Sequence, residues 1–277
     1  MHRLVLLDLD KTIIDVQYRL NADPNPVIRT CAEKGISIGL CSDSSLPTLQ
    51  RWASRLGITG PIIAERGAVV WDPISGVETA VHPKETSFFP GLTREFVKRV
   101  VSLNEPPTIF FGDASELIRN GITALPGERS LLLVNKYRKH SFSFYTKRFD
   151  GEKAVFTNDE KSLRSFSGLA EELVAVHASD TKLDWDLNPE YGIVILHAAC
   201  TQKRSAVEFL LASLNRSVLV AMVGDSIADV IGHPRVAQYA VANASKPYRE
   251  QSTFVSERSF TGGVCDILSR IAQGELD

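Results

Sequence analysis

The chain has 277 residues, 44% of them hydrophobic and 23% charged. That composition excludes a disordered polypeptide and allows one large domain or two ordinary ones at roughly 100–200 residues each. With 31 Lys and Arg against 33 Asp and Glu, the net charge of −2 offers no general attraction for nucleic acid or an anionic membrane. The four cysteines, Cys31, Cys41, Cys200 and Cys265, form no CxxC pair. They argue against a zinc site or a disulfide framework and are expected to be buried thiols. No run approaches the ~20 apolar residues of a membrane span, and Leu4–Leu7 is too short for a signal peptide. The expectation is a soluble, cytoplasmic protein.

Leu4–Leu7 is an apolar run ending at Asp8, the pattern of a strand buried on both faces of a parallel sheet. Pro24–Lys34 reads as a helix stopped by Gly35, Ile36–Cys41 as a second strand, Ser45–Leu56 as a helix closed by Gly57, and Pro61–Ala64 as a third strand. Val69–Trp71 and Val77–Val81 flank the turn Asp72–Gly76. Alternating strands and helices predict βαβ units. Beyond His82 the pattern changes. Residues 92–103 read as a helix and 160–172 as a polar helix; Leu131–Lys136, Ser141–Thr146 and Leu173–His177 read as strands. Ser141–Thr146 alternates polar and apolar residues, as a strand with one solvated face does. Parallel α/β character returns with a helix at Gln202–Leu214, strands at Val218–Val223 and Ala237–Val241, and a final helix at Gly263–Ala272. The predicted organisation is an α/β core of residues 1–83 and 197–277, interrupted by an α+β module of residues 84–196.

Two apolar strands end in carboxylates, one at Asp8 and one at Gly224-Asp225. In open α/β sheets ligands bind beyond the carboxyl ends of the strands, so both should share one rim. Asp8-Leu9-Asp10-Lys11-Thr12 places two acids two residues apart, and Gly224-Asp225-Ser226-Ile227-Ala228-Asp229 places two four apart. Four carboxylates near one rim repel, and are tolerable only around a cation or with raised pKa values. Oxygen-only ligands suit a hard ion such as magnesium. The alternative is that Asp8 and Asp10 merely cap the next helix.

Asp8–Thr12 resembles the first motif, DxDxT, of the haloacid dehalogenase superfamily. Ser42 matches its second motif, Lys203 its third, and Gly224-Asp225-Ser226 with Asp229 its fourth. The insert between Ser42 and Lys203 resembles the cap of the Cof-type branch, and Glu65–Ala68, Val241–Ala244 and Gly262–Val264 are similar to further segments of that branch. Sugar-phosphate phosphatases and archaeal-type phosphoglycolate phosphatases share the plan. Three departures stand out: Ser42-Asp43-Ser44 where many members read Thr-Gly-Arg, Ala228 where Asn is usual, and Ile231-Gly232-His233 in place of the common Met-Leu.

The resemblance implies a Rossmann-like core with an α+β cap and a magnesium-dependent phosphatase acting on a small phosphorylated metabolite. Asp8 would be nucleophile and Asp10 general acid and base. Ser42 and Lys203 would bind phosphate, with Arg204 competing for the latter role. Magnesium would be held by Asp8, Asp10 and Asp225, with Thr12, Ser226 and Asp229 in support. Asp229 would either orient Lys203 or complete the metal shell. A phosphomutase and an inactive phospho-ligand-binding protein are the alternatives. A dehydrogenase reading fails, because no GxGxxG follows a strand. The insert also carries Lys136-Tyr137-Arg138-Lys139-His140 and Lys147-Arg148, either an anion-attracting surface or a solvated hairpin. Nothing points to nucleic-acid or membrane partners, and the oligomeric state is open.

Overall fold

β1, Leu4–Leu7, is buried at every position because both faces of its sheet are covered. In this computed structural model, residues 4–113, 116, 129–150, 155–178, 181–188 and 191–276 are described. The chain continues through α1 (Asn25–Glu33), β2 (Ser37–Cys41), α2 (Leu46–Leu56) and β3 (Ile62–Ala64). A 3₁₀ turn at Glu65–Gly67 leads to the hairpin β4 (Val69–Asp72) and β5 (Val77–Ala80), closed by a hydrogen bond of 2.8 Å from the Gly76 amide to the Asp72 carbonyl. α2 stops at Gly57, whose positive φ of 67° is free of the penalty a side chain would add.

The segment that follows holds α3 (Pro83–Thr86), α4 (Phe89–Val101), β6 (Thr108–Phe111), β7 (Arg129–Val134), β8 (Ser141–Asp150), β9 (Val155–Asn158), α5 (Glu160–His177), β10 (Leu183–Asn188) and β11 (Ile193–Ala198). The chain then resumes with α6 (Lys203–Ser213), β12 (Val220–Gly224), β13 (Val236–Ala240), α7 (Lys246–Arg249), β14 (Phe254–Val255) and α8 (Phe260–Gln273). Contacts divide it into two units: residues up to Val81 with those from Thr201 onward, and His82–Cys200.

The first unit contains a sheet in the order β14-β13-β12-β1-β2-β3-β4-β5, parallel from β14 to β3 and antiparallel at β4 and β5. Alternation along β1 sorts its two faces. Val5 and Leu7 join the cluster with Ile28 of α1, Leu49 and Trp52 of α2, and Ile267 and Ile271 of α8. Leu4 and Leu6 join Ala206, Val207 and Leu211 of α6. Two-sided burial makes the central strands continuous apolar runs rather than alternating ones.

The second unit contains a sheet in the order β10-β11-β8-β7-β6, with β9 pairing β8; β6 and β7 are parallel and the other pairs antiparallel. One face packs on α4 and α5 through Phe96, Phe142, Phe144 and Phe166, with ring centroids 5.0 Å apart for Phe96–Phe142 and 5.1 Å for Phe96–Phe144.

Three expectations change here. Leu173–His177 is the last turn and a half of α5, not a strand. Leu163, Phe166 and Ala170 put their buried faces at helical spacing, and Asp159 caps the start by accepting from the Ser162 amide at 3.1 Å. The polar residues Ser141 and Ser143 of β8 are buried rather than solvated. Of the cysteines, Cys31 and Cys41 are buried, but Cys265 is half-buried and Cys200 exposed. No helix among the described residues is long and apolar enough to cross a membrane.

Candidate active site

Parallel register sets the carboxylates side by side. Leu7 pairs with Val223 of β12 and with Leu40 of β2, so Asp8, Asp225 and Ser42 leave neighbouring strands at the same end of the sheet. The chain leaves β1 through a tight turn in which the amides of Ile13 and Ile14 donate to the Leu9 carbonyl at 2.9 and 3.0 Å. Asn243 holds that turn from the other side, its Nδ2 donating to the Lys11 carbonyl at 2.7 Å. Lys11 takes a positive φ of 61° there.

Lys203 is the first residue of α6 and only 4% exposed. Its Nζ donates to Asp8 Oδ1 at 2.7 Å and to Asp229 Oδ1 at 2.6 Å. Thr12, fully buried, donates from Oγ1 to Asp8 Oδ2 at 3.0 Å and lies 3.4 Å from Asp225 Oδ1. Asp8 therefore has one oxygen on the ammonium and the other on a hydroxyl. Asp229 closes the group: its Oδ2 accepts from the amides of Asp225 and Ser226, both at 3.0 Å, and from Ser226 Oγ at 3.3 Å.

Two glycines make these approaches physically open. A Cβ on Gly224 would lie 2.4 Å from Asp229 Oδ2, so any larger residue would push that carboxylate away from Lys203. A Cβ on Gly67, whose φ is 95°, would lie 2.2 Å from the carbonyl oxygen of Gln202, just before Lys203. The Glu65–Ala68 stretch thus lets the start of α6 come close to the sheet.

Burial, reinforced by the neighbouring Asp229 and Asp225, pushes the Asp8 carboxyl well above its ordinary range, against the pull of Lys203. Burial and Asp229 push Asp225 up to about 7. Burial alone would lower Lys203, but Asp229 and Asp8 outweigh it and hold the ammonium well above its usual value. Three carboxylates, of Asp8, Asp225 and Asp229, bring ligand oxygens within 4.8 Å of one another around that single ammonium. The excess of negative charge and the all-oxygen donor set fit a hard divalent cation. Asp229 accepts four hydrogen bonds, one from Lys203 and three from the Asp225–Ser226 turn, against two for Asp8 and one for Asp225, so Asp8 and Asp225 keep more ligand capacity.

Asp10 lies beside the same turn, half-buried, with Oδ2 accepting from Ser44 Oγ at 3.3 Å. Ser42 is buried, and its Oγ accepts from the Ser44 amide at 3.2 Å. Ser44 is thus a contact of Asp10 that the sequence presents only as a departure from Thr-Gly-Arg. Asn243, a further residue of the site, is signalled only by its place in Val241–Ala244. Arg204 points away and pairs with Glu208 at 2.8 Å on the exposed side of α6, so Lys203 alone enters the group.

The family model for haloacid dehalogenase-like hydrolases matches residues 5–268. The chain belongs to this family. Its core is therefore that of a hydrolase, and it is an enzyme. Phosphoglycolate phosphatase 1 of Saccharolobus solfataricus is similar over its whole length, 23% identical with 100% of this chain and 99% of that protein aligned. Phosphoglycolate phosphatase of Sulfolobus acidocaldarius is 36% identical over 73 residues, which are 26% of this chain and about a third (32%) of that protein. Among solved structures, a Thermoplasma acidophilum protein superposes with a TM-score of 0.63 at 19% identity, covering 98% of each chain. A haloacid dehalogenase-like hydrolase from Bacteroides thetaiotaomicron gives a TM-score of 0.65 at 15% identity, covering 98% of this chain and 100% of that one. These likenesses establish the fold shared by the family.

Proposed function

We propose that this hydrolase is a cytoplasmic, magnesium-dependent phosphatase that cleaves a small phosphorylated metabolite, a sugar phosphate or a short phospho-acid such as phosphoglycolate, through an aspartyl-phosphate at Asp8. The observation that carries this reading is the Lys203 ammonium held 2.7 Å from Asp8 and 2.6 Å from Asp229, with Asp225 beside them. An ammonium so placed fixes the carboxylate and lowers the cost of bringing a phosphate dianion to it. The names of the two phosphoglycolate phosphatases give the same direction.

In this reading an Asp8 oxygen attacks phosphorus, forming the acyl-phosphate bond while the P–O ester bond breaks. Asp10 gives its proton to the departing oxygen. Water then attacks phosphorus, Asp10 takes up its proton, and the Asp8–phosphate bond breaks to release inorganic phosphate. Ser42 donates a hydrogen bond to the phosphoryl oxygens, and Thr12 holds the second oxygen of Asp8. Ser226 and Asp229 keep Lys203 in line. Asp8, Asp225 and the residue Asp10 would hold magnesium, which when bound offsets the charge between carboxylate and phosphate. The insert, by its place in the chain between Ser42 and Lys203, is proposed as the cap.

The test is a screen of phosphorylated metabolites with magnesium and with EDTA. We expect release of phosphate from small phosphomonoesters, lost with EDTA and restored by magnesium. Full activity in metal-free buffer, or no turnover of any phosphoester, would overturn the proposal.

A further inference from the structure

In the first unit, the connection from β2 to α2 is held by a strained turn beside it. Glu65 and Arg66 take positive φ of 50° and 60°, and Gly67 follows at 95°. Left-handed backbone is unfavourable for residues with a side chain and persists only where surrounding contacts fix it. Here both amides are engaged by the connection. The Glu65 amide donates to the Ser44 carbonyl at 3.0 Å, and the Arg66 amide to the Ser42 carbonyl at 3.2 Å. Arg66 Nη1 also lies 3.8 Å from Asp43 Oδ2. At one end the Ser42 amide donates to the Ile63 carbonyl of β3 at 3.0 Å; at the other the Ser45 carbonyl accepts from the Leu49 amide of α2, also at 3.0 Å. Ser42, Asp43 and Ser44 are therefore each fixed by at least one contact outside their own segment.

Ser44 turns this fixing toward Asp10. Its amide donates to Ser42 Oγ at 3.2 Å, and its hydroxyl donates to Asp10 Oδ2 at 3.3 Å. Both residues are half-buried. The last side-chain bond of an aspartate rotates over a broad range unless one oxygen is held. A carboxylic acid, in turn, delivers its proton only from an oxygen within hydrogen-bond reach of the acceptor. A donor on Oδ2 restricts that rotation and assigns the transferred proton to Oδ1. A neutral hydroxyl does this without adding a positive charge that would hold the acid ionised.

We propose that Ser44 is a positioning residue, whose hydroxyl orients the Asp10 carboxyl for proton transfer to the leaving oxygen. The inference rests on the phosphatase reading, in which Asp10 is the general acid, and adds to it a residue that acts through Asp10 rather than on the substrate. Ser44 then matters for kcat more than for KM, and most for leaving groups that depart poorly without a proton.

The test compares the whole native protein with Ser44→Ala, Asp10→Ala and the double variant, with magnesium present, on an alkyl phosphate and on p-nitrophenyl phosphate. Ser44→Ala is expected to lower kcat on the alkyl phosphate by roughly 10-fold, several-fold more than on p-nitrophenyl phosphate, with KM little changed. Ser44→Thr, which keeps the hydroxyl, should recover most of the loss. In the Asp10→Ala background, adding Ser44→Ala should cost nothing further, because there is no acid left to orient. Equal losses on the two substrates, no recovery in Ser44→Thr, or a loss that persists in the Asp10→Ala background would overturn the proposal. Thermal melts of the same four proteins in EDTA read the contact without catalysis. Ser44→Ala should lower the melting temperature by about 2 °C in the native background and leave it unchanged in Asp10→Ala; equal shifts in both would also overturn the proposal. No turnover of any phosphoester would sink the phosphatase reading and with it the catalytic role of Ser44, while the melts would still decide whether Ser44 holds Asp10.

Discussion

Each unit of this chain buries a cation, and the two are treated in opposite ways. Lys203 in the first unit has a carboxylate on either side, at 2.7 and 2.6 Å. Arg138 in the second has one serine hydroxyl. Around Lys203 the protein supplies more negative charge than the ammonium cancels; among the described residues no carboxylate pairs with Arg138. The contrast is between a cation over-compensated by carboxylates and one that meets only a neutral hydroxyl.

The largest expected effect comes from removing the group around which the first site is arranged. Asp8→Asn should lower turnover by about 10⁴-fold or more, because an amide cannot form the acyl-phosphate. Steady-state rates on the best substrate of the metabolite screen measure this; near-native turnover would leave Asp8 a mere partner of Lys203. Asp10→Asn should cost roughly 10²- to 10⁴-fold on an alkyl phosphate and much less on p-nitrophenyl phosphate, whose leaving group needs no proton. Equal losses on both would remove Asp10 from proton transfer.

Gly224→Ala sharpens the comparison without touching a charge. Its Cβ would be 2.4 Å from Asp229 Oδ2, so Asp229 and then Lys203 must shift. Displacements of this size can cost on the order of 10²-fold in rate. The substitution should lower kcat with the fold intact, as circular dichroism can verify; an unaffected kcat would mean that Lys203 does not depend on Asp229.

The smallest expected effect is a dependence of stability on pH. Asp225 sits at about 7 in the folded protein against an ordinary 3.8. Its pKa is raised, so the folded state binds more protons than the unfolded chain between these values, and stability is lost as pH rises through them. Metal-free protein should therefore melt progressively lower from pH 5 to pH 8. Asp225→Asn should flatten that slope, and magnesium should offset it at pH 8. Melting curves in EDTA across this range are the check, and a slope unchanged by Asp225→Asn would assign the effect elsewhere.

The core was legible because its signals are local. A four-residue apolar run before Asp8, another before Gly224-Asp225, and glycine stops such as Gly57 are each readable within a few residues, and parallel register then brings the ends together without further information. Thr12, Ser226 and Asp229 enter the site through the resemblance to the family's first and fourth motifs rather than through these local signals. Lys203 is named by its match to the third motif, but Arg204 stays in competition in the sequence, because adjacent positions at a helix start differ only in the direction the packed helix gives them. In the insert the determinants are nonlocal. Leu173–His177 carries two valines and reads as a strand, but its burial belongs to a helical face begun at Leu163. Thr108–Phe111, Leu183–Asn188 and Ile193–Ala198 gain their strand character from partners across the sheet and escaped the reading. The inward turn of Arg138 between two exposed lysines is likewise invisible in a basic run, since only the packing of β8 decides which residue is buried.

The central claim is that Asp8 becomes covalently phosphorylated. Rapid quench of the enzyme with its substrate, treatment with hydroxylamine, and mass spectrometry of the peptide containing Asp8 test it directly. The account predicts an aspartyl hydroxamate at Asp8 that forms only with substrate and magnesium and is absent in Asp8→Asn. A native enzyme that turns over while its Asp8 peptide stays unmodified at every quench time, or that carries the hydroxamate on another residue, would contradict it.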